Sequence, residues 1–94
     1  METRAGDPGA FARFDLTRVP SPAFVVDAAK VRANLALLRH IGDASGARVL
    51  AALKAFSMWS LGPTVIEYLD GVCASGIYEA KLGRGEYGGE VATY

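Results

Sequence analysis

A single cysteine, Cys73, leaves no partner for a disulfide within the chain and fits a reducing compartment. Histidine is as scarce. With only His40 and Cys73, and with Asp27, Asp70, Glu79 and Glu86 at no metal-ligand spacing, no zinc site is expected. Neither sign of charge is in excess, ten basic side chains facing ten acidic ones, and no basic cluster occurs. Nucleic acid and anionic membrane surfaces are therefore not expected partners. No apolar run approaches the ~20 residues that span a bilayer, and Met1 is followed by Glu2, Arg4 and Asp7 rather than an apolar leader. The expectation is a soluble, cytoplasmic protein of one domain at most.

What the sequence does have is apolar material, 51% of the residues, enough for a packed core. It is most concentrated in Val49-Leu50-Ala51-Ala52-Leu53-Lys54-Ala55-Phe56, where one lysine interrupts the run. The run reads as a strand buried on both faces, with Lys54 at its end. Parallel α/β sheets gather their ligands at that carboxyl edge. An apolar setting would depress the pKa of the amine and favour its neutral, nucleophilic form, as Schiff-base chemistry requires. Taken alone, the local pattern favours the plainer reading of a lysine that snorkels to water.

The rest of the chain surrounds this strand with helices. Residues 1–19 read as an irregular lead-in with a short helical turn at Phe11–Phe14. Pro20 and Pro22 stiffen the chain ahead of a short strand, Ala23–Val26. Asp27 is placed to cap a helix in which Ala28, Val31, Leu35, Leu38 and Gly42 recur at 3.6-residue spacing, with Ser45-Gly46 as the turn beyond it. His40 falls near its carboxyl end as a surface residue. Ser60 or Gly62 can cap a second helix with Pro63 in its first turn, Val65, Ile66, Tyr68 and Leu69 on its buried side, and Gly71 as its stop. Val72–Ser75 reads as a short strand. A third helix then turns Ile77, Ala80 and Leu82 inward. Gly83, Gly85, Gly88 and Gly89 follow a helix rather than link a strand to one, so they read as helix stops and not as a phosphate loop. Glu90–Tyr94 opens a further element. Strands alternating with helices predict a parallel α/β architecture.

Individual side chains leave choices open. Cys73 reads as a small core residue. Ser75 can serve as a backbone cap or as a cofactor contact. Phe56 and Trp59 read as core filling, the alternative being a pocket wall beside Lys54.

Three blocks, taken in order, carry a resemblance. Pro20-Ser21-Pro22-Ala23-Phe24-Val25-Val26-Asp27 with Lys30-Val31-Arg32-Ala33-Asn34-Leu35 resembles the opening of the fold-type III decarboxylases that use pyridoxal 5'-phosphate. Ala52-Leu53-Lys54-Ala55-Phe56 resembles their lysine strand. Trp59-Ser60, Tyr68-Leu69-Asp70-Gly71 and Ser75-Gly76-Ile77-Tyr78-Glu79-Ala80-Lys81-Leu82-Gly83, followed by Gly88-Gly89-Glu90, resemble the branch that decarboxylates carboxynorspermidine and carboxyspermidine. Val72-Cys73-Ala74-Ser75-Gly76 lacks the acid that many family members carry there, as that branch also does.

The resemblance implies that Lys54 is the catalytic lysine that carries pyridoxal phosphate, with Ser75 as a second cofactor-binding candidate. It implies that residues 20–94 form the amino-terminal part of a (β/α)8 barrel of the alanine racemase-like type, with about three βα units. A whole barrel takes roughly 250 residues. The family's phosphate-binding glycine loop, its acidic partner for the pyridine nitrogen and its later catalytic residues are expected beyond Tyr94. The implied enzyme is a homodimer that makes norspermidine or spermidine from an amino-acid precursor. Another fold-type III enzyme, a diaminopimelate decarboxylase or an amino-acid racemase, is the alternative, as is a non-catalytic barrel that binds pyridoxal phosphate. Three βα units cannot close a barrel. Residues 1–94 by themselves are thus expected to leave sheet edges unpaired and Lys54 open to water, and neither to hold the cofactor tightly nor to decarboxylate.

Overall fold

Asp27 begins the regular structure. Its side chain accepts the backbone N–H groups of Ala29 and Lys30, at 2.9 and 3.2 Å, and so satisfies two donors that the first turn would otherwise leave open. The helix it starts, α1, spans Ala28–Ser45 and ends at Gly46, whose φ of 73° lets its N–H turn back to the Gly42 carbonyl. Leu35 and Gly42 are buried and Val31 is half-buried, as the spacing predicts. Ala28 and Leu38 are not: both are exposed, and Leu37, Leu38 and Ile41 leave an apolar face open. Asp27→Ala should cost about 1 kcal/mol in a denaturant melt. An unchanged midpoint would show that the cap contributes nothing.

The computed structural model of the protein describes residues 9–94. The start of the lead-in, residues 1–8, lies outside the described residues. Within the remainder, 3-10 turns occupy Gly9–Phe11 and Leu16–Arg18, and Phe11 meets Phe14 edge to face at 6.3 Å. The expected strand at Ala23–Val26 does not form. That segment has no ladder partner among the described residues, and Phe24 is 97% exposed.

The sheet has three parallel strands in chain order: β1 (Leu50–Ala52), β2 (Gly71–Ala74) and β3 (Glu90–Thr93). Ala52 aligns with Cys73 and Cys73 with Ala92. Central β2 is the most deeply buried strand, with Val72 and Ala74 fully covered. The core forms where Val72, Leu53 and Tyr87 meet Leu35 of α1 and Val65 and Leu69, within and just after the second helix, α2 (Gly62–Tyr68). Asp70 ties the strand starts together. Its carboxylate accepts the Val49 N–H at 2.9 Å, its own N–H donates to the Val49 carbonyl, and its carbonyl accepts the Glu90 N–H.

Several boundaries depart from expectation for physical reasons. The lysine strand is shorter than the apolar run. After Ala52 the chain turns, because the Ala52 carbonyl accepts the N–H groups of Ala55 and Phe56 at 3.0 and 3.2 Å, and Lys54 lies inside that turn. Ser60 does not cap α2. A 3-10 turn, Trp59–Leu61, feeds the helix directly, with Pro63 in its first turn as predicted. The third helix, α3 (Ile77–Leu82), leaves Ile77 64% exposed and turns only Ala80 and Leu82 partly inward. Beyond it the glycines do not stop the winding but loosen it into a π-helical turn, Gly83–Tyr87. Gly83 lies so close to Val72 that an added Cβ would fall 2.5 Å from its methyl. Tyr87 is buried, its hydroxyl has no partner among the described residues, and burial pushes its phenol above the ordinary value.

Arg32 on α1 donates to Glu67 on α2 at 2.7 Å and to Thr64 at 3.2 Å; the pair is exposed and screened by water, so it adds little to stability. No helix among the described residues is long and apolar enough to cross a membrane.

Candidate functional site at the carboxyl edge of the sheet

Parallel strands deliver their carboxyl ends to one edge, and the register fixes what meets there. Lys54, Ser75 and Tyr94 each lie two residues beyond the aligned row Ala52, Cys73 and Ala92. The hydroxyls of Ser75 and Tyr94 are 2.9 Å apart. The Lys54 Nζ lies over the Tyr94 ring, 5.3 Å from its centre. The order along the edge is amine, phenol, hydroxyl.

Lys54 lies open to water, as expected of residues 1–94 by themselves, and not in the dry setting that would depress its pKa. Lys54 is exposed, and its pKa is raised rather than depressed. The neighbouring Tyr94 phenol is the main cause, and Cys73 and Glu79 act in the same direction. Desolvation opposes them and loses, because little water is excluded. The Lys54 amine beside it in turn holds the Tyr94 phenol below its ordinary value, with the Ser75 hydrogen bond contributing. At neutral pH the amine is therefore an ammonium.

Ser75 resolves its own alternatives in part. Its N–H donates to the Glu79 carboxylate at 2.6 Å, so Glu79 reaches back over the start of α3. The Ser75 hydroxyl caps nothing; it bonds to Tyr94. Cys73 is half-buried in β2. Phe56 and Trp59 are not core residues, at 39% and 57% exposure. With Phe24, Val26 and Met58 they line an open apolar groove of about 690 Å³ that begins at Ala55, the residue after Lys54. The turn after Ala52 carries them out of the core.

Sequence reasoning singled out Lys54 and Ser75 but passed over Tyr94, which joins them. A signal existed: all three residues follow short apolar segments one βα unit apart, and parallel register brings such positions together.

Comparison with known proteins finds likenesses in sequence and in fold. No protein-family model matches the chain. A carboxynorspermidine/carboxyspermidine decarboxylase of Herminiimonas arsenicoxydans is 37% identical over 76 residues, 81% of this chain and 21% of that protein. One of Campylobacter jejuni is 39% identical over 77 residues, 82% of this chain and 20% of its own length. A carboxyaminopropylagmatine decarboxylase of Synechocystis is 34% identical over 79 residues, 84% of this chain and 20% of that protein. The crystal structure of carboxynorspermidine decarboxylase from Campylobacter jejuni, complexed with norspermidine, superposes with a TM-score of 0.78 at 39% identity, over 81% of this chain and 21% of that one. This chain spans about a fifth of the length of the relatives it matches. It is a homologue of the carboxynorspermidine/carboxyspermidine decarboxylases, alike in sequence and in fold over that portion.

Proposed function

We propose that this chain forms the first βα units of a pyridoxal-phosphate-dependent decarboxylase that converts carboxynorspermidine or carboxyspermidine to the corresponding polyamine. Within a completed barrel, residues 20–94 would supply the segment whose carboxyl edge bears the cofactor. The observation that carries this reading is the convergence of Lys54, Tyr94 and Ser75 at the carboxyl edge of a parallel sheet, in a chain whose fold matches a decarboxylase crystallised with norspermidine.

The side chains present fit an aldehyde cofactor. Lys54 offers one primary amine, reachable from solvent, with two neutral hydroxyl groups beside it. Lys54 would hold the cofactor and Ser75 would contact it. Pyridoxal phosphate, when bound, supplies an electron sink for the carbanion left by departing carbon dioxide. The amine must shed a proton before it can act as a nucleophile, and its raised pKa sets that requirement. The neutral amine could accept a proton from a carbon at the sheet edge, and the ammonium could return one. The enclosure that would dry this edge belongs to the rest of the barrel and to a second subunit of a cytoplasmic homodimer.

Carbon dioxide release from the complete enzyme tests the assignment. Carboxynorspermidine and carboxyspermidine should turn over faster than lysine, ornithine, arginine or diaminopimelate. Faster turnover of diaminopimelate would move the protein to that sister branch.

A further inference from the structure

We propose that the face of the Tyr94 ring is a subsite for an alkylammonium group, held by Lys54 in the free site and given over to an amine of the substrate when Lys54 is engaged. That this amine belongs to a polyamine chain rests on the function proposed above; the ring's selection of a cation does not.

Three observations of geometry carry it. The first is the present occupant. The Lys54 Nζ lies 5.3 Å from the ring centre, inside the ~6 Å over which the negative face of an aromatic ring attracts a cation. Lys54 forms no ion pair among the described residues, so its ammonium meets a ring rather than a carboxylate. The second is the way the ring is presented. Ser75 holds its hydroxyl at 2.9 Å, and the Tyr94 N–H donates to the Ala74 carbonyl at 3.4 Å. Tied at both ends yet 72% exposed, Tyr94 faces solvent instead of packing into the core. The third is the sign of the surroundings. The Ser75 N–H, a donor that an anion could use, is already taken by the Glu79 carboxylate at 2.6 Å. A carboxylate and an aromatic face on one sheet edge suit a cation and repel an anion.

Lys54 is itself a copy of the ligand: a primary ammonium on a flexible methylene stem. A polyamine carries the same group at the end of each arm. The two anchors of the ring come from the end of β2 and not from Lys54, so the lysine can leave without disturbing the face. One face holds one ammonium. An incoming amine therefore competes with Lys54 and settles there only after the lysine has left.

The test reads the ring directly, with no cofactor added. In the complete protein, labelled in its tyrosine rings for NMR, propylammonium should shift the Tyr94 resonance, which is identified by its loss in Tyr94→Phe. Lys54→Met vacates the face and should lower the concentration needed severalfold. Propanol, alike in size and uncharged, should leave the resonance in place. Norspermidine should bind Lys54→Met roughly two- to thirtyfold more tightly than its analogue with one terminal amine replaced by hydrogen. Adding Tyr94→Leu should erase most of that difference. Circular dichroism checks folding; should Lys54→Met fail, Lys54→Gln, equally uncharged, decides. A Tyr94 resonance unmoved by propylammonium in the folded variant, or moved equally by propanol, would overturn the subsite whatever the enzyme decarboxylates. A charge-selective shift in an enzyme that turns over diaminopimelate fastest would uphold the subsite and refute the polyamine assignment.

Discussion

Lys54→Ala in the complete enzyme is expected to abolish carbon dioxide release while leaving the fold in place. The side chain is exposed and lies in a turn, so its removal should leave the melting midpoint close to wild type. Its chemical contribution is of another order. A positioned proton-transfer group alone is worth on the order of 10²–10⁴-fold, and Lys54 would supply both the nucleophile and the proton carrier. Alanine keeps the backbone bonds from Ala55 and Phe56 to the Ala52 carbonyl, so the turn survives. Lys54→Arg should fail as completely, since a guanidinium stays charged and cannot act as a nucleophile. Substantial turnover by either variant, measured as carbon dioxide release beside a thermal melt, would remove Lys54 from the chemistry.

Gly71→Ala should produce a larger loss of stability than a methyl added at any other described glycine. Gly71 opens β2 between Leu50 of β1 and Glu90 of β3. A Cβ built there would collide with the backbone carbonyl oxygen of Glu90, which no rotamer change can move. Strands β2 and β3 would have to part at their start and weaken the Glu90 N–H bond to the Asp70 carbonyl, now 3.1 Å. Overpacking of about 1–3 kcal/mol and a hydrogen bond of about 1 kcal/mol together approach 2–4 kcal/mol. That is a large share of the 5–15 kcal/mol typical of a domain. Gly85→Ala is the control, because a Cβ there meets nothing within 4 Å. Denaturant midpoints should fall for Gly71→Ala and hold for Gly85→Ala; equal midpoints would mean that the strands yield easily.

Local signals were the legible ones. Helix α1 could be read from its Asp27 cap to an end near Gly42 or slightly later, where the structure carries it on to Ser45, because caps and turns involve residues a few positions apart. The alternation of strands and helices was equally readable, and with it the parallel sheet. What escaped the sequence depends on residues distant along the chain. The apolar run around Lys54 suggested a buried strand end, yet apolar neighbours in sequence are not neighbours in space. The turn at Ala52 puts Lys54 in water, and a tyrosine two strands away raises its pKa. Phe56 and Trp59 have the composition of core residues but are carried outward by the same turn. Tyr94 shows no motif at all; only the alignment of β3 with β2 gives it a place.

Reductive trapping tests the central claim most directly. The complete protein, loaded with pyridoxal phosphate, is treated with borohydride, digested and mapped. The account predicts the pyridoxyl group on Lys54 and no label there in Lys54→Ala. A label on Lys30 or Lys81 instead, with Lys54 unmodified, would contradict it.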